Sequence, residues 1–331
     1  MKVAILGAGS MGTAMVALLS EKEIEISLWA RRFEVCKDIM ENHVNSEYLP
    51  HVKLKSSIKC ETNLTDVLTG ADLLVFTVPS HAITKVLQQI KSTIALTSTN
   101  SDFISLSVVK GIIHSSGRIF ASEEIEHFLD NDVAVFAGPT FASEVAKKIP
   151  TVTTLASKSA NAIDVLKPLL ETDYLKVFVT DDVRGVQLCS VLKNIYSIAI
   201  GMIDGMGSGD NVRGLFVHYA VEEMRRILTV CGGKAGTIFS PAGIGDFVAT
   251  AFSEKSRNRS IGSLLGLGII KNKNYNVGIL AEGLKSISTI KKLSDANEIS
   301  TPIINFVHGV CFRGMLPVQA FRSLENEVFG R

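Results

Sequence analysis

The chain has 331 residues, 46% hydrophobic and 20% charged, with 34 Lys and Arg against 33 Asp and Glu for a formal net charge of +1. That length supplies a large core and material for two domains, and the near-even charge argues against nucleic acid as a partner and against an acidic disordered tail. Five dispersed cysteines (Cys36, Cys60, Cys189, Cys231, Cys311) without a C-x-x-C pair suit reduced thiols, and the seven histidines have no metal-ligand spacing, so no metal site is expected.

The chain opens on Lys2-Val3-Ala4-Ile5-Leu6, a β-branched and aliphatic run that predicts a buried strand. Gly7-Ala8-Gly9-Ser10-Met11-Gly12 follows. Met11, Ala14, Met15, Leu18 and Leu19 then fall at i, i+3, i+4, i+7 and i+8, the spacing of a helix. A G-x-G-x-x-G between strand and helix is where a dinucleotide-binding turn requires it. Gly7 permits the tight turn, Gly9 lets a pyrophosphate approach the backbone, and Gly12 lets helix and strand pack closely. Ser10 and Met11 open the helix whose free N–H groups would face the phosphates. A second strand from Ile24 to Trp29 completes a βαβ unit of about 30 residues. An ordinary glycine-rich turn is the alternative.

Ala30-Arg31-Arg32 comes next. NAD sites often place Asp or Glu at the end of this strand to hold the ribose 2′-hydroxyl, whereas Arg accommodates a 2′-phosphate. Two arginines and no carboxylate before Glu34 favour NADP(H), with NAD(H) use also possible and a solvated surface pair as the alternative.

Asn45 to Pro50 reads as a turn-rich connection. Leu73 to Val78 predicts a third strand stopped by Pro79, with Ser80 capping a helix built on Ile83, Val86, Leu87 and Ile90. Phe103 to Val109 predicts a strand ending at Lys110-Gly111, which puts a lysine in the ligand crevice of a doubly wound sheet or simply at an edge. Asp132 to Ala137 predicts a further strand before Gly138-Pro139-Thr140-Phe141-Ala142, a second point where bare N–H groups open a helical stretch. Thr151 to Ala156 and Leu175 to Val179 add two strands with a helix between them. Seven or so strands interleaved with helices indicate an α/β protein with a Rossmann-like, doubly wound sheet.

From Asp181 the texture becomes helical, at roughly 183–205, 212–231 and after Pro302. The expected division is therefore a dinucleotide-binding domain at 1–180 and an all-helical substrate and catalytic domain at 181–331. No uncharged apolar run reaches ~18 residues and the first residues carry no signal-peptide pattern. The expectation is a cytoplasmic protein with no membrane insertion.

From Val186 to Ile203 the helix is apolar on nearly every face, yet it carries Lys193. A buried lysine is rare unless paired, and desolvation lowers its pKa toward neutrality; snorkelling to an edge is the alternative. Asp246, in Ala242-Gly243-Ile244-Gly245-Asp246, could pair with Lys193 or serve as a helix N-cap. Ser256-Arg257-Asn258-Arg259 offers a guanidinium and an amide side by side, suited to a phosphate or to a solvated turn. Glu282-Gly283 is a plausible polar contact near a cofactor.

With these residues in view, the chain resembles the bacterial-type NAD(P)-dependent sn-glycerol-3-phosphate dehydrogenases over nearly its whole length. The matching pieces are Gly7 to Gly12, Asn45-Ser46-Glu47-Tyr48-Leu49-Pro50, Val78-Pro79-Ser80, Lys110-Gly111, Gly138-Pro139-Thr140-Phe141-Ala142, Leu192-Lys193-Asn194, Gly209-Asp210-Asn211, Ala242 to Asp246 and Ser256 to Arg259. The run from Lys193 to Arg259 is the specific part.

The resemblance implies reversible reduction of dihydroxyacetone phosphate to sn-glycerol 3-phosphate, a precursor of membrane phospholipids, with the active site between the two domains and a homodimeric assembly. It implies Lys193 as the catalytic acid/base. Substrate contacts would fall on Lys110, Gly138, Thr140, Lys193, Asp246, Ser256, Arg257 and Asn258, and cofactor contacts on Ser10, Met11, Arg31, Lys110, Ala142, Arg257, Leu280 and Glu282. Met11 stands where the family usually has Trp or Phe, and Thr140 keeps the hydroxyl of the family's frequent Ser. A β-hydroxyacid dehydrogenase or ketopantoate reductase-like enzyme, or a non-catalytic NADP-binding sensor, are the competing readings.

Overall fold

Val3, Ala4, Ile5 and Leu6 of β1 (Lys2–Leu6) expose no surface at all, as expected of a strand covered on both faces. The computed structural model describes residues 1–97, 103–115, 118–270 and 282–329. They divide into a first unit, Met1–Val183, and a second, Arg184–Arg331.

The first unit continues through α1 (Ser10–Leu19), β2 (Glu25–Trp29), α2 (Phe33–Asn42), β3 (Val44–Asn45), β4 (Leu49–Lys53), β5 (Lys59–Glu61), α3 (Leu64–Leu68) and β6 (Leu73–Phe76). Then come α4 (Ile83–Thr97), β7 (Ile104–Ser107), β8 (Ile112–Ser115), β9 (Arg118–Phe120), α5 (Ala121–Leu129), β10 (Val133–Ala137), α6 (Ala142–Val145), β11 (Thr151–Ala156), α7 (Ala160–Leu170) and β12 (Leu175–Thr180). Eight strands form one sheet in the order β12-β11-β10-β7-β6-β1-β2-β5. All neighbours are parallel except β10 and β11.

The chain builds outward from β1 to β2 and β5, then crosses over to β6, β7 and β10. That reversal at β1 and β6 opens a crevice at the carboxyl ends of the strands, where doubly wound sheets bind ligands. Alternation along the strands makes two apolar layers. Val3, Ile5, Leu73 and Val75 face α1 and α7, while Ala4, Leu6, Leu74 and Phe76 face α4 and α5.

One local expectation is refined, one strand lies where none was expected, and one expectation is corrected. The turn-rich Asn45–Pro50 stretch is the tip of an antiparallel hairpin, β3 with β4. Lys59-Cys60-Glu61 forms an additional edge strand; with one buried side chain it has no detectable periodicity. Ser80 makes no side-chain cap and opens a short 3₁₀ turn, Ser80–Ala82, ahead of α4.

The second unit is helical: α8 (Val183–Gly205, whose first residue closes the first unit), α9 (Asp210–Val230), α10 (Asp246–Phe252), α11 (Arg257–Gly266), α12 (Glu282–Ala296), α13 (Pro302–Arg313) and α14 (Pro317–Phe329). A 3₁₀ turn, Ala235–Phe239, and a π-type turn, Pro241–Gly245, lead into α10. By length and composition α8 could cross a membrane, with a window of mean hydropathy 1.4, yet that window is wholly buried in the protein. It is the central helix of a folded unit.

α8 and α11 touch backbone to backbone. A Cβ on Gly201 would lie 2.1 Å from the Arg259 carbonyl oxygen, and one on Gly262 would lie 2.1 Å from that of Ile198. Gly205 and Gly266 repeat the pattern one turn on, at 2.3 Å from Ser263 O and 2.1 Å from Met202 O. Four glycines spaced by four on two helices remove the side chains that hold ordinary helices 8–10 Å apart. The N-terminus of α11 is thereby held against α8, where Asn258 meets Asn194.

Candidate active site

In the first unit, the glycine turn is fastened from three directions. Thr77 Oγ1 donates to the carbonyls of Leu6 (3.0 Å) and Gly7 (2.7 Å), and Thr13 Oγ1 donates to Gly9 O at 3.0 Å. Asn45 Nδ2 donates to Ala8 O at 3.0 Å and to Thr13 Oγ1 at 2.8 Å. Gly7 has φ +122°, and a Cβ on Gly12 would fall 1.8 Å from Gly7 O, so neither position admits a side chain without rearrangement.

Gly9 differs, because a Cβ there would meet nothing within 4 Å. The space above its backbone is open, at the N-cap of α1, with no side chain capping the helix and no acidic residue in its first turn. A pyrophosphate fits that combination of room and bare N–H groups. Ser10 and Met11 begin α1 at the rim, both half-buried.

Arg31 and Arg32 follow β2 and are exposed. Arg32 Nη2 donates to Glu47 Oε2 at 2.5 Å and to Tyr48 Oη at 3.3 Å. The hydrogen bond with Glu47 holds that guanidinium above its ordinary pKa. Arg31 makes no hydrogen bond or ion pair among the described residues.

Further along the sheet, Lys110, Gly138 and Thr140 converge on one atom. The Gly138 carbonyl accepts from Lys110 Nζ (3.2 Å), Thr140 N (2.8 Å) and Thr140 Oγ1 (3.2 Å). Gly138 adopts φ +154°, and its Cβ would press within 3.0 Å of Thr153 Cα, so the tight turn needs glycine. Ala142 is the first residue of α6.

In the second unit, Lys193 is 4% exposed and Asp246 is 2% exposed. Lys193 Nζ lies 2.5 Å from Asp246 Oδ1 and donates to Thr250 Oγ1 at 3.1 Å, while Thr250 Oγ1 donates to Asp246 Oδ1 at 3.3 Å. Asp246 and Thr250 sit one turn apart on α10, which is why both reach the same ammonium. An isolated charge at this depth would be strongly penalised; a matched pair with a hydroxyl between its members is tolerated.

Asn194, adjacent in sequence, donates through Nδ2 to Ser190 O at 3.2 Å and accepts through Oδ1 from Asn258 Nδ2 at 2.9 Å. Asn258 Oδ1 in turn accepts from Gly283 N at 3.2 Å, so its amide is fixed at both ends.

The Ser256–Arg259 run does not present its side chains together. Ser256 caps α11, its Oγ accepting from Arg259 N at 3.3 Å. Asn258 turns inward, and Arg259 pairs with Asp204 at 2.8 Å. Arg257 alone is exposed, with no hydrogen bond or ion pair among the described residues. Glu282 opens α12, and Leu280 lies outside the described residues.

Thr250 and Asn194 were not among the candidates read from the sequence. The signal for Thr250 was its place four residues after Asp246. Thr13, Thr77 and Asn45 were missed because their partners are carbonyls, which no motif records.

The two halves of the chain match two family models, described as the N-terminus (residues 2–163) and the C-terminus (residues 182–322) of NAD-dependent glycerol-3-phosphate dehydrogenase. A glycerol-3-phosphate dehydrogenase (NAD(P)+) of Bacillus subtilis is 35% identical over 327 residues, covering 98% of this chain and 93% of the relative. One of Clostridium botulinum is 33% identical over 335 residues, covering 99% of each. The crystal structure of glycerol-3-phosphate dehydrogenase from Coxiella burnetii superposes with a TM-score of 0.89 at 31% identity, covering 100% of this chain and 99% of that one.

Proposed function

Since the chain belongs to the NAD-dependent glycerol-3-phosphate dehydrogenase family, we propose that it reversibly reduces dihydroxyacetone phosphate to sn-glycerol 3-phosphate, with NADP(H) preferred and NAD(H) accepted. The observation that carries the chemistry is the buried pair of Lys193 and Asp246. Membership of this family favours this reading over a β-hydroxyacid dehydrogenase, a ketopantoate reductase-like enzyme or a non-catalytic sensor.

The nicotinamide, when bound, supplies the hydride that the substrate's carbonyl carbon receives. Lys193 gives a proton to the carbonyl oxygen, a contribution of about 10²–10⁴ in rate for a positioned acid. Asp246 holds the amine in place, and Thr250 fixes the angle between them. Arg257, exposed and without a hydrogen bond or ion pair among the described residues, is the group suited to the substrate phosphate, and Asn258 adds its remaining N–H. Lys110 and Thr140, within the first unit, are further polar groups suited to contacting the substrate. The glycine turn holds the pyrophosphate through α1, and Arg31 stands ready for a 2′-phosphate.

We assign the enzyme, by its likeness to the family, to the cytoplasm as a homodimer, supplying the glycerol phosphate backbone of phospholipids. The test is a steady-state assay following NADPH and NADH oxidation with dihydroxyacetone phosphate and, separately, with ketopantoate. Turnover is expected with the triose phosphate alone; turnover confined to ketopantoate, or none with either, overturns the proposal.

A further inference from the structure

The end of β2 carries two arginines and no carboxylate in sequence, but the fold delivers one from elsewhere. Glu47, at the tip of the β3–β4 hairpin, meets the Arg32 guanidinium at 2.5 Å, and the Tyr48 ring lies 5.8 Å from Arg32 Cζ. The hairpin is not a loose neighbour. Asn45, two residues before Glu47, is 1% exposed and fastened to Ala8 O and Thr13 Oγ1, inside the phosphate-binding turn and its helix. Glu47 is thus tied to the same turn that holds a dinucleotide, at the strand end where such sites recognise the adenosine ribose.

We propose that Glu47 is a specificity-determining residue that limits the preference for a 2′-phosphorylated dinucleotide, an inference resting on the dehydrogenase reading above. Its carboxylate neutralises Arg32 before any ligand arrives and sets a negative charge against a 2′-phosphate. The same carboxylate can accept a hydrogen bond from a ribose 2′-hydroxyl, as an Asp or Glu at the end of β2 does in NAD sites. Arg31, without an ion pair among the described residues, then remains as a guanidinium for the phosphate. The result is a site that accepts both dinucleotides where two free arginines would select one.

The test is a fluorescence titration of the full chain with NADPH and with NADH, comparing wild type, Glu47→Gln and Arg32→Leu. Glu47 and Arg32 are about half exposed, with 52% and 42% of their side chains accessible, so both variants are expected to fold. Glu47→Gln should shift the ratio of the two dissociation constants toward NADPH by about tenfold, equivalent to ~1.4 kcal/mol. Arg32→Leu leaves Glu47 unpaired and should weaken NADPH while changing NADH little. The inference is overturned if Glu47→Gln moves the ratio less than twofold, or toward NADH, while both dinucleotides still bind the wild type. A folded wild-type chain that binds neither overturns the dehydrogenase reading, and this inference with it.

Discussion

Lys193 and Asp246 come together from α8 and α10 as a 2.5 Å ion pair with only 5% and 3% of their side chains exposed, and Thr250 is hydrogen-bonded to both. Removing one partner of a buried pair leaves an uncompensated charge, which typically costs about 3–5 kcal/mol. Asp246→Asn should lower unfolding stability by that order in urea and reduce kcat. Thr250→Val removes one hydroxyl at similar volume. It should lower kcat by about tenfold, as expected for a hydrogen bond to a charged group, and leave the dinucleotide Kd unchanged.

The glycine turn allows two roles to be separated by two substitutions. Gly12→Ala drives a Cβ to 1.8 Å from Gly7 O, so the apo protein itself should be destabilised, by ~1–3 kcal/mol or more. Gly9→Ala meets nothing in the protein. Its thermal midpoint without ligand should stay near wild type, within about 0.5 kcal/mol, while NADPH affinity falls sharply. Equal effects on stability from both variants would contradict the assignment of Gly9 to the pyrophosphate.

The α8–α11 crossing makes a parallel contrast. Gly262→Ala must push the helices apart at Ile198 O and should cost ~1–3 kcal/mol; the Asn194–Asn258 hydrogen bond should also loosen, raising KM for the phosphorylated substrate. Gly214, inside α9 with open space around it, should do the reverse: Gly214→Ala is expected to stabilise by about 0.5–1 kcal/mol, read as a higher urea midpoint.

Stability should also depend on pH through Glu223. This carboxyl is 0% exposed and accepts from Ile303 N (2.8 Å), Ile304 N (3.1 Å) and Tyr196 Oη (3.2 Å), joining α9 to the start of α13. Burial outweighs those donors and raises its pKa to about 8 from an ordinary 4.5. A carboxyl raised in the folded state binds more protons folded than unfolded, so stability should fall as pH rises from about 4.5 to about 8. Glu223→Gln should flatten that slope in urea titrations at pH 6 and pH 9. It should also lower stability at pH 6 by ~1–3 kcal/mol, because an amide N–H₂ would face a backbone donor.

How much of this was legible in the sequence depends on how local each feature is. The strand–turn–helix around Gly7 to Gly12, the parallel sheet and the helical second unit follow from periodicity and glycine placement over ten to twenty neighbouring residues. Lys193 stood out because a charge interrupted an otherwise apolar helix. The inward turn of Asn258 and the pairing of Arg259 with Asp204 are set by the α8–α11 crossing, a contact between helices some fifty residues apart. The Arg32–Glu47 pair spans 15 residues through a strand of only two, too short for any alternation to register. The arginines therefore read as an unopposed positive pair, when a carboxylate already sits on one of them.

The most direct measurement is kcat for dihydroxyacetone phosphate reduction by Lys193→Met, which keeps the length of the side chain and removes its proton. Dissociation constants for NADPH are measured alongside. The account predicts a loss of at least ~10²–10⁴ in kcat with NADPH affinity essentially retained. A variant turning over at close to the wild-type rate would show that the proton comes from elsewhere, and the central role given to Lys193 would be wrong.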